Sequence, residues 1–331
     1  MSHRTATARA HANIALAKYW GKADATYNIP AVPSVSVTLR ALSTTTTVAF
    51  DDALGEDEVI VGGVLQEGRP KSRVCEMLDR VRTAAGQEAR ARVTSANDFP
   101  TASGLASSAS AFAALALASV TAAGLDWDTA KISDLARRSS ASAGRSLFGG
   151  FVRLPAGPPG TTYLPSEPIA PAEHWNLRII VAVISEKPKA VSSTQGMNHT
   201  VATSPYFEAW VRLCSPLVRT IEEAIAERDL HKLGEAAEHS ALAMHASALA
   251  AAPGVIYFEP ATLETLHAVR AMRSENVAAY ATMDAGPHVK VITTADQAAD
   301  VVQRLEAVPG VLRTISSQLG GPASVSLGTS P

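Results

Sequence analysis

One stretch of small residues, spanning 98–112, constrains this chain more than any other. It reads DFPTASGLASSASAF, and Pro100 and Gly104 predict a bend before a helix that begins near Ser107. Unpaired N–H groups and the helix dipole make such a helix start an anion site, and the hydroxyls of Ser107 and Ser108 suit phosphate or magnesium. A buried helix with a serine N-cap fits equally well. The stretch alone leaves both interpretations open.

Length and charge limit the class of protein. A chain of 331 residues is long enough for two domains. Its formal net charge of -2 argues against binding to nucleic acid or to an anionic membrane, so an anionic ligand needs a few well-placed cations. Cys75 and Cys214 have no metal or redox spacing, and no signal peptide or membrane span is visible. We therefore expect a reduced, cytoplasmic protein.

Two lysines near the N-terminus are candidate anion ligands. Lys18 and Lys22 flank the sequence Tyr-Trp-Gly. They share one face if this piece is helical, and both can converge on an anion if it is a loop. Few acidic residues are nearby to neutralise the two lysines. This favours binding of a phosphate or carboxylate ligand over a position on the solvated surface. Farther on, residues 34–39 alternate and predict a strand, with residues 44–50 as its partner strand.

A second basic cluster follows a predicted helix at residues 129–139. Between Arg137 and Gly150 the chain carries three arginines among serines and small residues, a pattern that suits anion binding but also an exposed loop. Its apolar ending, Leu-Phe-Gly-Gly-Phe-Val, favours a segment that enters the core. Arg73, at the start of a predicted helix over 71–85, adds a weaker hint of a bound anion.

The C-terminal half mixes helices and strands without a strict alternation, which predicts an α+β fold. A buried strand at 177–184 marks a domain boundary, giving domains 1–176 and 177–331. Residues 187–203 read as a polar loop, and the tail after Gly320 as loose. Asp284, before Ala-Gly-Pro, is by default a turn residue, although a strand end is also a common place for a catalytic carboxylate. His239 and His245 are interpreted as structural because their spacing puts them off one helix face.

Six segments in order resemble the diphosphomevalonate decarboxylase family of the GHMP superfamily. They are residues 13–22 with Lys-Tyr-Trp-Gly-Lys, 34–39, 99–108, 136–150, 191–197 and 283–287. The resemblance implies a two-domain GHMP-kinase-like α+β fold, with an ATP-binding N-terminal domain and the active site in the cleft between the domains. It also implies a homodimer.

The reaction implied by this resemblance uses ATP and Mg²⁺. The 3-hydroxyl of (R)-mevalonate 5-diphosphate is phosphorylated, and phosphate and CO₂ then leave to give isopentenyl diphosphate, a step of isoprenoid biosynthesis by the mevalonate pathway. Catalytic roles fall to Asp284, Lys18 and Arg145. Substrate-binding roles fall to Asn13, Tyr19, Lys22, Arg73, Ser140, Ser142, Ser193 and Met197. ATP contacts fall to Gly104, Leu105, Ala106, Ser107 and Ser108, the last two reaching the metal through the ATP phosphates.

Three departures from the family pattern bear on substrate preference. Val32-Pro33-Ser34 replaces Asn-Ser-Ser, Ser139-Ser140-Ala141-Ser142 replaces Gly-Ser-Gly-Ser, and His288 replaces an asparagine. The alternatives are, in order, a mevalonate 5-monophosphate decarboxylase, a GHMP kinase without decarboxylation, and a non-catalytic ATP- or isoprenoid-binding protein. Retention of Tyr19, Lys22 and Arg73 ranks the diphosphate first.

Overall fold

Two β-sheets of unequal size organise the structure. The computed structural model describes residues 5–99 and 107–327. The larger sheet has eight strands and the smaller has four, and helices pack against both, which confirms the predicted α+β class. The strands are β1 (Thr5–Ala17), β2 (Lys22–Asp24), β3 (Ile29–Pro30), β4 (Ser34–Asp51), β5 (Glu58–Val61), β6 (Val64–Leu65), β7 (Arg90–Asn97), β8 (Phe151–Leu154), β9 (Glu167–Ala170), β10 (Leu177–Val183), β11 (Tyr280–Met283), β12 (Val289–Thr294), β13 (Arg313–Ser317) and β14 (Ser324–Leu327).

Eight α-helices and two short 3₁₀ segments complete the described part of the chain. None of these helices is both long enough and apolar enough to span a bilayer. The helices are α1 (Gly68–Ala85), α2 (Ser107–Ala122), α3 (Thr129–Ser139), α4 (Ser193–Thr203), α5 (Phe207–Glu227), α6 (Leu230–Leu249), α7 (Pro260–Ser274) and α8 (Ala298–Glu306), and the 3₁₀ segments are Ala141–Leu147 and Ala172–His174.

The larger sheet is built on the pairing of its two longest strands. Its order is β14-β1-β4-β7-β5-β6, with β8 joined to β4 and β9 to β8. Strands β1 and β4 run antiparallel, from Thr5 opposite Ala49 to Ala17 opposite Val35. The smaller sheet, β11-β12-β10-β13, is antiparallel throughout. The pairing brings the end of β1, where Lys18 follows, next to the start of β4.

Alanines on one face of β1 allow helix α2 to pack closely against the larger sheet. Ala6, Ala8 and Ala10 alternate along the strand and are fully buried in one cluster with the alanine-rich α2. This packing places the first turn of α2 beside the end of α3, where the hydroxyls of Ser108 and Ser140 are 3.5 Å apart. The N-terminus of α2 is thereby directed at the segment that carries the second basic cluster.

The smaller sheet places Asp284 directly after β11, in the turn that leads to β12. The Gly286 N–H donates to the Asp284 carbonyl at 2.8 Å, and the Thr262 hydroxyl donates to the Pro287 carbonyl at 2.8 Å. The N–H of Ile184 donates to Nδ1 of His288 at 3.1 Å. These bonds fix the turn, so the Asp284 side chain leaves the strand end in one direction.

One expectation about the strands needs correction. Residues 44–50 do not form the partner of 34–39, because β4 runs without a break from Ser34 to Asp51 and pairs with β1 and β7. Exposed Arg40 and Ala41 interrupt the burial pattern where residues 40–42 of β4 bulge out between its pairings with Ala12 and His11 of β1, which makes one strand resemble two. Of the two conformations left open for the piece that carries Lys18 and Lys22, the structure has the loop: β1 ends at Ala17, and residues 18–21 form a loop.

Two further expectations are wrong in the C-terminal half. The stretch 187–203 is not a loop throughout, since α4 begins at Ser193. Ser192 caps it, accepting from the Gln195 N–H while the Gln195 side chain bonds back to Ser192. The tail after Gly320 is not loose throughout, because β14 pairs with β1. The division into domains 1–176 and 177–331 stays a prediction. Strands β1 to β9 lie before residue 177 and β10 to β13 after it, whereas β14 pairs back with the larger sheet.

Close packing between α6 and β11 yields a test of this arrangement. A Cβ on Gly234 would lie 2.0 Å from Cγ of Tyr280, whose ring is held by a 2.9 Å hydrogen bond to His231 and by the Arg273 guanidinium 5.0 Å away. We expect Gly234→Ala to lower the free energy of unfolding by about 1–3 kcal/mol, measured by urea denaturation, although alanine favours helix. The control Gly55→Ala, with no atom within 4 Å, should stay within about 0.5 kcal/mol. Equal stability of the two variants would contradict the packing.

Candidate active site

A cavity of about 540 Å³ is lined by residues from both sides of position 177. It brings together every predicted site residue that the structure describes. Gly104, Leu105 and Ala106, predicted to contact ATP, lie outside the described residues. The thirteen that line the cavity are Asn13, Lys18, Tyr19, Lys22, Arg73, Ser107, Ser108, Ser140, Ser142, Arg145, Ser193, Met197 and Asp284.

The cavity wall carries a strong excess of positive charge. Among the described residues that line it are five cationic side chains and one carboxylate, that of Asp284. The whole chain has a net charge of -2, so this excess is local. Concentrated cations in a partly enclosed space raise the local concentration of anions and hold them once bound. The cavity is therefore suited to a ligand, or a pair of ligands, with several negative charges.

Lys18 and Asp284 form a buried ion pair at the floor of the cavity. The Lys18 ammonium donates to Oδ1 of Asp284 at 2.7 Å and to the Ala15 carbonyl at 2.7 Å. Burial lowers the pKa of Lys18 to about 8, although Asp284 opposes the shift. Burial raises the pKa of Asp284, but the nearby lysine charges outweigh it and hold that pKa well below its usual range. The carboxylate is thus ionised and only about a quarter exposed, toward the cavity.

Arg145 is held in place by two side chains from the larger sheet. Its Nη1 donates to the Ser34 hydroxyl at 2.6 Å, and Nε and Nη2 donate to Oδ1 of Asn13 at 3.3 and 3.2 Å. Asn13 in turn donates to the Ser146 hydroxyl at 2.7 Å. Burial lowers the pKa of Arg145 to about 10, which leaves the guanidinium protonated at neutral pH. Asn13 therefore orients Arg145 as well as lining the cavity.

A second pair of cations lies at the other end of the cavity. Arg73 stacks over the Phe112 ring at 4.4 Å and donates to the Ser139 carbonyl at 2.7 Å. Burial and the charge of Arg73 lower the pKa of Lys22, so the two repel each other in the absence of an anion. The Tyr19 hydroxyl is buried without a hydrogen-bond partner among the described residues, and burial raises its pKa. A bound anion would relieve the repulsion and satisfy the hydroxyl.

Hydroxyl groups line the wall between the two cationic ends. Ser107 and Ser108 begin α2, so N–H groups of the first helical turn lie beside their hydroxyls. Ser140 ends α3, and its hydroxyl is 3.4 Å from that of Ser142 at the start of the 3₁₀ segment. A helix start with adjacent hydroxyls and nearby cations fits phosphate oxygens. Among the described residues no group of three or more His, Cys, Asp or Glu side chains could hold a metal by itself.

Several residues that sequence reasoning did not select also belong to this site. Lys189 lines the cavity and donates to the Ser193 hydroxyl at 2.9 Å and to the Ala285 carbonyl at 3.0 Å. Lys290 lies behind Asp284, with its Nζ 3.2 Å from Oδ2. Lys189 lies in a polar stretch and Lys290 within a strand, so neither has a local sequence signal that distinguishes it from a surface lysine.

The second basic cluster contributes one of its three arginines to the cavity. Arg137 is fully buried and bonded to Asp134 and to backbone carbonyls, so its role is structural. Arg138 also pairs with Asp134. Met197 is buried in an aromatic cluster with Trp20, which also contains Val32. The departure at Val32 therefore places an apolar side chain in the core instead of on the cavity wall. Ser34, from the same departure, accepts the hydrogen bond of Arg145.

Comparisons with known proteins agree with this geometry. Residues 10–163 match the model of a diphosphomevalonate decarboxylase-like N-terminal domain, and 179–326 that of a mevalonate 5-diphosphate decarboxylase C-terminal domain. A phosphomevalonate decarboxylase of Haloferax volcanii is 36% identical over 97% of each chain. The diphosphomevalonate decarboxylase of Candida albicans is 35% identical over 87% of this chain and 83% of its own. A solved structure described as "MDDEF in complex with MVAPP, AMPPCP and Magnesium" has a TM-score of 0.91 and 38% identity, covering 98% of this chain and 99% of its own.

The lowered pKa of Lys18 predicts how anion binding depends on pH. The ammonium loses its proton as pH rises through about 8, whereas a bound polyanion stabilises it. Affinity for inorganic pyrophosphate should therefore be highest below pH 8 and fall by up to about tenfold per pH unit above it. Titration calorimetry between pH 6.5 and 9.5 measures this slope.

Two variants separate this effect from the titration of pyrophosphate itself. Lys18→Met should lose the part of the slope above pH 8 that Lys18 contributes, because the Lys18 proton is then no longer linked to binding. Lys232→Met removes the same charge from a surface lysine paired with Glu223 and Glu227, and it should keep the slope. The same slope in Lys18→Met and in the unmodified protein would show that Lys18 does not titrate in this range.

Proposed function

Because the chain belongs to the diphosphomevalonate decarboxylase family, we propose that it converts (R)-mevalonate 5-diphosphate and ATP to isopentenyl diphosphate, ADP, phosphate and CO₂. The observation that carries the proposal is one ionised carboxylate, Asp284, in a cavity lined by five cations. The substrate has a carboxylate at one end and a diphosphate at the other, with a tertiary hydroxyl between. The cavity has cations at both ends and Asp284 on its floor.

Arg145 binds the substrate carboxylate. A guanidinium has five N–H donors, and three of those of Arg145 are used by Ser34 and Asn13, so two remain for a forked contact with an anion. Fixing the carboxylate in this way aligns the C–C bond that breaks when CO₂ leaves. When phosphate departs from C3, the electron pair of that bond becomes the new double bond.

Asp284 orients the tertiary hydroxyl of the substrate. Its ionised oxygens accept the hydroxyl hydrogen bond and direct the oxygen lone pair at the γ-phosphoryl group of ATP. A tertiary alcohol is a poor leaving group, so phosphorylation has to precede decarboxylation. Help from a carboxylate acting as a general base is typically worth about 10²–10⁴-fold. Lys18 lies beside Asp284 and stabilises negative charge on the transferred phosphoryl group.

The hydroxyl-lined wall binds the ATP phosphates. Ser107 and Ser108, with the first N–H groups of α2, supply donors to phosphate oxygens. With no acidic cluster among the described residues, Mg²⁺ would be held mainly by the phosphates, assisted by these two hydroxyls, and it would neutralise charge between them. Gly104, Leu105 and Ala106 complete the proposed ATP contacts.

The diphosphate binds at the end of the cavity that carries Lys22 and Arg73. Those two cations repel each other when the cavity holds no anion, which favours a group with more than one negative charge. Further proposed contacts come from the hydroxyls of Tyr19, Ser140, Ser142 and Ser193, with Met197 lining the pocket. The monophosphate is the second candidate substrate, because the Haloferax volcanii relative is a phosphomevalonate decarboxylase.

Three further assignments concern the location, the oligomeric state and the domain division of the protein. We propose that the protein works in the cytoplasm as a homodimer, and that its domains divide between residues 176 and 177. The first two rest on the family resemblance. The third is supported by the family models, which match separate halves of the chain, and by the start of β10 at Leu177.

Product stoichiometry tests the proposed reaction. With Mg²⁺-ATP and mevalonate 5-diphosphate labelled at C1, we expect ADP, phosphate and labelled CO₂ in a ratio of one to one to one. The monophosphate, run in parallel, should give a kcat/KM at least about tenfold lower, since one cation contact is lost. Preference for the monophosphate would assign the second candidate. ADP without CO₂ would indicate a kinase, and no turnover with either compound would contradict all three reactions.

A variant of Asp284 tests the role of the carboxylate. Asp284→Asn keeps the side-chain shape but removes the charge that accepts the hydroxyl hydrogen bond, so turnover should fall at least about 10²-fold. ATP affinity should stay within about threefold, measured by calorimetry with a non-hydrolysable analogue. The control Ser193→Ala removes one proposed substrate contact and leaves the carboxylate, so its turnover should fall far less. A variant that keeps a tenth of the original activity would show that Asp284 does not have this role.

A further inference from the structure

A second buried lysine contacts Asp284 from the side opposite the cavity. Lys290 lies on β12, opposite Val181 of β10 and Thr282 of β11, and its side chain is 1% exposed. Its Nζ is 3.2 Å from Oδ2 of Asp284, while Lys18 occupies Oδ1. Lys290 is not among the residues that line the cavity. It therefore contacts the carboxylate without contacting the space where ligands bind.

A buried ammonium is costly unless an anion compensates it. Among the described residues, Asp284 is the one acidic group within ion-pair distance of Lys290, and no hydrogen-bond acceptor is aligned with its Nζ. Oδ2 of Asp284 likewise has no aligned hydrogen-bond donor among the described residues. The Lys290 ammonium and the Asp284 carboxylate therefore compensate each other's charge. This is the pattern expected when one buried charge holds another in position.

We propose that Lys290 is a positioning residue for the reaction, acting through Asp284: it holds Oδ2 so that the carboxylate stays ionised and fixed in rotation while Lys18 holds Oδ1. Each carboxylate oxygen has about two lone-pair directions; Oδ2 is buried, so the direction on Oδ1 that Lys18 does not use remains for the substrate. The tertiary hydroxyl then meets Oδ1, an acceptor whose side-chain rotation is fixed. This role rests on the reaction proposed above.

The charges around Asp284 indicate that Lys290 is not redundant. Burial lowers the pKa of His245 to about 3, so that ring is neutral and cannot replace a lost ammonium. Lys189 donates to Ser193 and to the Ala285 carbonyl instead of to the carboxylate. The groups that face Asp284 come from five elements: Lys18 after β1, Arg145 in the 3₁₀ segment, Lys189 before α4, His245 in α6 and Lys290 in β12.

Steady-state kinetics of Lys290→Met test the proposal. We expect kcat to fall at least about tenfold and KM for ATP and for mevalonate 5-diphosphate to stay within about threefold, because Lys290 acts on the acceptor and not on the ligands. The acid limb of the kcat profile should move to higher pH, since Asp284 loses one of two charges that keep it ionised. Lys232→Met, which removes a surface charge, should match the unmodified protein in all three measurements.

A thermal unfolding cycle tests the pair without relying on activity. Lys290→Met, Asp284→Asn and the double variant are compared with the unmodified protein. Asp284→Asn leaves the Lys290 ammonium buried without an anion. Adding Lys290→Met to that variant should therefore lower Tm less than Lys290→Met lowers it in the unmodified protein, or should raise Tm. Additive changes in Tm would show that the two groups are not coupled and would overturn the proposal.

The outcomes separate this role from the reaction itself. Release of CO₂ by the unmodified protein, with an unchanged kcat in Lys290→Met, overturns the Lys290 role and leaves the reaction intact. An unmodified protein that releases no CO₂ refutes the proposed function and this role with it. A fall in kcat with unchanged KM values, together with non-additive Tm changes, supports the positioning role.

Discussion

The ion pair between Lys18 and Asp284 joins the two sheets of this structure. Lys18 follows the last residue of β1 in the larger sheet, and Asp284 follows the last residue of β11 in the smaller one. The contact is supported by the Lys18 N–H, which donates to the Ser240 hydroxyl of α6 at 2.9 Å. Breaking a buried ion pair by removing one partner typically costs about 3–5 kcal/mol, because the other charge is left uncompensated. The same pair therefore stabilises the junction and forms the floor of the cavity.

The packing of small residues explains how the rest of the site reaches this floor. Alanines in β1 let α2 approach the sheet, so the first turn of α2 comes within hydroxyl-contact distance of Ser140. The backbone of Ser140 is extended, which ends α3 and lets the following 3₁₀ segment turn Arg145 inward. A larger side chain in β1 would move α2, and with it two of the proposed phosphate ligands, Ser107 and Ser108. Catalytic geometry and core packing are thus set by the same contacts.

Predictions from local sequence succeeded where one segment carries the whole signal. Helix α3 was predicted at its observed bounds, since its apolar spacing and the Asp128 cap lie within a few residues of each other. Strand β4 was mistaken for two strands, because the exposed Arg40 and Ala41 belong to a bulge in β4 that only its pairing with the distant strand β1 defines. Strand β14 was missed because its four residues are all exposed and form a strand through pairing with β1.

The sequence by itself determined the fold class, the family resemblance and most of the candidate site, because the Lys-Tyr-Trp-Gly-Lys cluster, the serine-rich helix start and Asp-Ala-Gly-Pro are short motifs. Tertiary structure decided which cations act together. It separated Arg145, which lines the cavity, from the structural Arg137 eight residues earlier, and it brought Lys189 and Lys290 to Asp284. Neither lysine has a local pattern that distinguishes it from a surface charge. Their proximity depends on strand pairing between distant parts of the chain, which sequence spacing does not encode.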